Sequence, residues 1–215
     1  MKKLTVKKIQ TCPTDAKQVP EALDAEGVLF QSIDVVNWDA YPYSPSVRFR
    51  IAHTADAILL HYQVEEEMVR GKYTEDNGSV WTDACAEFFI APTDDGYYYN
   101  IETNCIGTVL VGAGLGRGNR EHAPLELLAR VKRWASLGRE ACVQEGPVRW
   151  ELALIIPYEV FFRSDVKCLD GQTVRGNFYK CGDELKTPHF LSWNPIAVPS
   201  PDFHRPEAFG ELYFE

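Results

Sequence analysis

No stretch of the 215-residue sequence is apolar for long enough to span a membrane. The chain also lacks a basic face. Its 31 Asp and Glu outnumber 22 Lys and Arg, the formal net charge is -9, and the one lysine cluster is the opening MKKLTVKK. Phosphate backbones and anionic lipid surfaces are repelled by that balance, which sets nucleic acid and membrane aside as partners. No apolar segment follows the N-terminal lysines as a secretory signal would require. The default expectation is a cytoplasmic protein, or an extracellular or periplasmic one if a signal has been removed.

No C-x-x-C pair occurs among the six cysteines, Cys12, Cys85, Cys105, Cys142, Cys168 and Cys181. Their wide spacing resembles neither a zinc ligand set nor a small disulfide framework, so buried free thiols are expected. Methionine is scarce, and Met68 is the only internal one, so haem ligation by His53, His61 and Met68 is discounted. The alternating glycines Gly112, Gly114, Gly116 and Gly118 lack the Gly-Lys-Ser/Thr of a phosphate loop, which discounts nucleotide binding. There is no internal repeat and no linker, so residues 1–215 read as one domain.

What is present is period-two alternation. In VRFRIAH, Val47, Phe49 and Ile51 alternate with Arg48 and Arg50; in ILLHYQV, Leu60, Tyr62 and Val64 alternate with His61 and Gln63. Each is a strand with one dry face, and the pair reads as a hairpin. LTVKKI near the N-terminus is a further strand, followed by a proline-bearing entry loop. In CAEFFIA, Glu87 and Phe89 share one face and Phe88 and Ile90 the other. NIETN puts Asn100, Glu102 and Asn104 together on one face. The EEE run at Glu65–Glu67 reads as a solvated strand end. Further runs, VKRWASL, WELALIIP, NFYKCGD and ELYFE, bring the total to about ten strands with at most two short helices. The expected fold is all-β, an antiparallel β-sandwich of immunoglobulin-like or jelly-roll type, with function at the ends of its long loops.

The stretch from Pro188 to Glu215 ends in a proline-stiffened aromatic loop, PDFHRPEAFG, and a closing strand. Taken with WTDACAE, NIETN, WELALIIP and NFYKCGD in that order, it resembles carbohydrate-binding module family 9 and its DOMON-like β-sandwich relatives. The resemblance covers about residues 30–215. It implies non-catalytic binding of a mono- or oligosaccharide in support of polysaccharide breakdown, beside a glycoside hydrolase on another chain. The family's site is a slot between two aromatic faces, edged by a carboxylate and amides. By position, Trp81 matches the first aromatic, Glu87 the carboxylate and Asn100 a polar contact, with Tyr99 just before it. Tyr179 stands where the family has an amide, and Phe203, beside His204, where it has a second tryptophan. The resemblance implies no cofactor beyond structural calcium, for which Asp94-Asp95-Gly96 or Asp76-Asn77-Gly78 are the candidate turns.

The residue chemistry is consistent with this. A sugar ring has a C–H face that suits an aromatic platform and hydroxyls that suit a carboxylate. Trp193 and Phe190 read as core aromatics, and Lys180 points to the face opposite Tyr179. Two other functions fit the same sequence. One is a carbohydrate-active enzyme using Glu87 with Asp83 or Glu102, or Tyr179 with His204; the other is a sandwich serving protein interaction.

Overall fold

The structure, a computed structural model, describes all of residues 1–215. Fourteen strands and two short α-helices follow in order. The N-terminal part comprises β1 (Lys3–Lys8), α1 (Val19–Ala25), β2 (Gln31–Ser32), β3 (Val35–Val36), β4 (Ser46–His53) and β5 (Ala57–Gly71). The middle holds β6 (Cys85–Ala91), β7 (Tyr98–Asn104), β8 (Val109–Gly114), β9 (Glu121–His122), α2 (Leu125–Leu128) and β10 (Lys132–Ala135). The chain closes with β11 (Cys142–Pro157), β12 (Thr173–Cys181), β13 (Phe190–Ser192) and β14 (Gly210–Phe214). No helix is long and apolar enough to cross a membrane.

The strands form the expected β-sandwich. One sheet runs β10-β11-β5-β4, with β2 on the far side of β4; the other runs β14-β12-β6-β7-β8-β9, with β13 paired to β12 and β3 to β13. The first strand joins the two. Lys3–Val6 pair in parallel with Glu211–Phe214 of β14, and Lys7–Lys8 then cross to pair in parallel with Ala52–His53 of β4. The expected hairpin forms, with Val47 opposite Val64 and Ile51 opposite Leu60.

Alternation decides what fills the space between the sheets. Phe49, Leu60, Tyr62, Phe88, Ile90, Ile101, Leu152, Leu154 and Phe178 all belong to one core cluster of 41 buried residues. Phe178 stacks on Phe88 at 4.7 Å and on Phe49 at 3.7 Å between ring centroids, with the edge of Trp193 against it. Burial of this many apolar side chains, each contributing roughly 1.5–3 kcal/mol when fully enclosed, offsets the chain entropy lost on folding.

Two sequence expectations are corrected. The entry loop holds a helix: Asp15 accepts from the Lys17 amide, Gln18 bonds back to Asp15 in a capping box, and α1 follows with Pro20 in its first turn. Its Val19 and Leu23 cover Leu59, Ala153 and Ile155 on the outer face of the first sheet. The acidic run at 65–67 is not wholly solvated either. Glu66 shares inward parity with Val64, is buried, and meets Lys180 Nζ at 3.0 Å and the Trp150 indole N–H at 2.7 Å. Lys180 does face away from Tyr179, and His189, at 2.7 Å from its Nζ, is pushed down to about 3 by burial and by that lysine. A buried charge tolerates this position only because a partner is in contact.

Candidate ligand pocket

The second sheet's outer face, beneath the loops, carries most of the candidate side chains. This differs from a site at the loop ends. The cause is parity: the residues that β6, β7 and β12 turn away from the core are Cys85, Glu87 and Phe89, then Tyr98, Asn100 and Glu102, then Asn177, Tyr179 and Cys181. The loop before β14 lies across this face. Its carbonyls are tied down by Trp38 Nε1 on Val198 O at 2.8 Å, Tyr179 Oη on Phe203 O at 3.2 Å and Arg175 on Phe209 O at 2.7 Å. Between loop and sheet remains a cavity of about 350 Å³.

Its floor is acidic. Glu87 and Glu102 sit directly opposite each other on neighbouring strands and are both buried. Burial, and after it the facing Glu102, push the Glu87 carboxyl well above the ordinary range; burial lifts Glu102 to about 7. Two carboxyls so placed retain a proton between them at neutral pH. Glu87 accepts from the Cys181 thiol at 2.9 Å, and Glu102 Oε1 accepts from Asn100 Nδ2 at 2.8 Å. The other Glu102 oxygen has no hydrogen-bond partner. Asp183, raised to about 6 by burial, stands beside them in the wall.

The opposite wall is basic and comes from the glycine-rich loop. Arg120 Nε donates to Asn100 Oδ1 at 2.8 Å, and its Nη atoms donate to the carbonyls of Gly116 and Tyr98, both at 2.8 Å. Its guanidinium lies 4.1 Å from the Tyr98 ring. Arg120 therefore fixes the orientation of the Asn100 amide. Arg117 and His122 line the same wall. His204 Nδ1 is 3.0 Å from the Tyr98 hydroxyl, and burial, helped by Arg120 and Arg117, lowers it to about 3, so the pocket meets a neutral imidazole.

Two aromatic side chains flank the cavity. Trp81 lies on a 3-10 turn, Val80–Thr82, and is 38% exposed, unusual for so large an apolar group. Asp83 anchors that turn. Fully buried, it accepts from Arg70 Nε at 3.0 Å, the Lys72 amide at 2.9 Å, the Tyr73 amide at 3.0 Å and Asn104 Nδ2 at 3.0 Å. Phe203 lines the pocket and is stacked on Tyr179 at 4.2 Å with an interplanar angle of 6°.

Of the residues singled out from the sequence, the cavity brings together Trp81, Glu87, Asn100, Phe203 and His204. Tyr99 and Tyr179 do not line it. Tyr99 has core parity and its hydroxyl is used by Ser164 Oγ at 3.1 Å and the Arg163 amide at 2.8 Å. Tyr179 has the right parity but is completely covered by Phe203 and serves as that ring's backing. Phe190, expected in the core, is partly exposed in the pocket wall, whereas Trp193 is buried as expected. Arg117, Arg120 and His122 were missed, because arginines in a glycine-rich loop carry no periodic signal. Asp76 of one candidate calcium turn is engaged by Arg133 at 2.6 Å and by the Val109 amide at 3.1 Å. The six cysteines are free thiols; Cys85, Cys105 and Cys181 are buried, Cys12 and Cys142 half-buried, and Cys168 exposed, which narrows the expectation of buried thiols.

A crystal structure of a candidate carbohydrate-binding protein from Bacteroides uniformis ATCC 8492 superposes with a TM-score of 0.97 at 50% identity, over 100% of this chain and 99% of that one. Two solved structures of a family 9 carbohydrate binding module from Caldicellulosiruptor kristjanssonii share the fold at 12% identity. The complex with cellotriose has a TM-score of 0.63 and the complex with glucose 0.60; both cover 100% of this chain, and 94% and 96% of their own. No curated protein matches in sequence. The family model for carbohydrate-binding family 9 matches residues 17–214, nearly the whole length, and the chain belongs to that family.

Proposed function

We propose that the domain is a non-catalytic saccharide receptor. In this reading Trp81 and Phe203 pack against the C–H faces of a pyranose, and Glu87, Glu102, Asn100 and His204 meet its hydroxyls. The observation that carries it is the convergence of a half-exposed indole with a buried Glu87–Glu102–Asn100 floor in one cavity of about 350 Å³. That volume falls in the range of about 300–1,000 Å³ common to small-molecule sites. Family membership supports the reading, as do the family 9 modules bound to cellotriose and glucose, so β-linked gluco-oligosaccharides are the first ligands to try.

Catalysis fits less well. Glycoside hydrolysis needs an acid and a base or nucleophile on either side of the scissile bond. Glu87 and Glu102 are neighbours on the same sheet face, so both approach a ligand from one side. The test is calorimetry with glucose, cellobiose and cellotriose, together with a glycan array and an assay for newly formed reducing ends. Saturable binding without turnover is expected. The absence of binding to every saccharide would overturn the receptor reading, and turnover lost in Glu87→Gln with binding retained would make the protein an enzyme.

A further inference from the structure

Three potential metal donors meet at and beneath the pocket floor, and two of them, Cys85 and Cys181, have no role in saccharide binding. Cys85 and Glu87 are two residues apart on β6 and so face the same way, and Cys181 of β12 lies directly opposite Cys85. Their ligand atoms, two sulfurs and a carboxylate oxygen, all lie within 4.8 Å of one another. Two thiolates bound to one tetrahedral zinc ion are about 3.8 Å apart, as follows from Zn–S bonds of about 2.3 Å. A spread of at most 4.8 Å is compatible with these three atoms sharing one ion. Beside them Glu102, only 5% exposed and lining the same cavity, keeps one carboxylate oxygen without a hydrogen-bond partner, a buried acceptor that an ion-bound water can satisfy.

We propose that Cys85, Cys181 and Glu87 form a binding site for one thiophilic divalent cation of the zinc class. Two thiolates and a carboxylate select such an ion over calcium or magnesium, which take oxygen ligands. Three protein ligands leave a fourth position. Cys181 and Glu87 line the cavity, so that position is reached from the cavity and would take a water or a ligand oxygen. Cysteine binds such an ion as the thiolate, so binding releases thiol protons. The site stands on its own donors and does not depend on saccharide binding.

The test is titration of the reduced, chelator-stripped full chain with cobalt(II), followed by displacement with zinc(II). One equivalent is expected, with thiolate-to-cobalt charge-transfer absorption whose intensity corresponds to two sulfurs, and with proton release into a weakly buffered solution. Cys181→Ser and Cys85→Ser should each abolish the two-thiolate spectrum, Glu87→Gln should weaken affinity while keeping it, and Cys168→Ser should change nothing. A wild-type protein without the band overturns the proposal, whatever the fate of the serine variants. So does a band that survives Cys181→Ser and disappears in Cys168→Ser. Reduced protein that takes up no cobalt, while the unreduced form is lighter by two hydrogens and linked Cys85 to Cys181, would overturn it in favour of a disulfide. Saccharide titrations on the same samples are a separate readout, so loss of either activity is distinguishable from loss of the other.

Discussion

Trp81 holds a large apolar face toward solvent at the mouth of a polar cavity, and nothing in the fold requires that exposure. Trp81→Ala is expected to weaken saccharide binding by roughly 30-fold or more, the ~2 kcal/mol of an aromatic hot spot, with an unchanged melting temperature; calorimetry and a thermal melt read both. Gly112 is a subtler probe. A Cβ there would lie 2.5 Å from Asn100 Oδ1, the atom that Arg120 holds, so Gly112→Ala must turn the amide away from Glu102. The expected result is about tenfold weaker binding, the value of one hydrogen bond of ~1.4 kcal/mol, in a protein that still folds. Glu102 gives a pH signature. Lifted from 4.5 to about 7, it keeps a proton in the folded state that the unfolded chain gives up, so its contribution to stability is complete below about 4.5 and is lost as pH rises through about 7. Glu102→Gln should therefore gain melting temperature relative to wild type progressively between about pH 4.5 and 8. A difference that stays flat across that range would contradict the assignment. The acidic floor was legible because period two forces Asn100 and Glu102, and separately Glu87, onto one face. Tyr99 was misjudged through adjacency: the residue before a site residue on a strand points the other way.

The elements that carry these side chains differ in how they are held. Turn 80–82 has almost no regular structure, yet four hydrogen bonds to the buried Asp83 hold it between β5 and β7. Asp83→Ala leaves Arg70 Nε and the Lys72 and Tyr73 amides without their buried acceptor, so a loss of about 3 kcal/mol is expected, lowering the melting temperature by about 6–12 °C. Saccharide affinity should fall with it, because Trp81 loses its mount. Sequence alone pointed to Asp83 as a neighbour of the site but could not reveal this role, since its partners come from residues 70–73 and 104, brought together only by the sheet. Helix α1 is the opposite case. The capping box of the 3-10 turn that leads into it, Asp15 with Gln18, and its own Pro20 were in plain view, but the prolines around it suggested a loop. In the glycine-rich stretch that starts in β8, Arg120 stayed invisible because its carbonyl partners are set by tertiary structure.

At the scale of the whole molecule, the sandwich is closed by a strand that belongs to both sheets. Lys3–Val6 complete one and Lys7–Lys8 the other, so removing residues 1–8 leaves β14 and β4 with open edges. Such a truncation is expected to melt cooperatively at a lower temperature and to self-associate, which light scattering alongside calorimetry would record. The two-sheet architecture could be foreseen from alternation, whereas this parallel crossover could not, because pairing between residues more than two hundred positions apart leaves no local trace. That pairing has a further consequence for how the domain can be used. Its first and last strands lie side by side, and the Glu215 amide donates to Val6 O at 3.1 Å. A short bridge can therefore tie head to tail, and new ends cut at the exposed Gly138 turn, which is not part of the pocket lining, would give a circular permutant with the same cavity. By the same geometry the domain can be grafted whole into a surface loop of a host protein, entering and leaving through one narrow doorway.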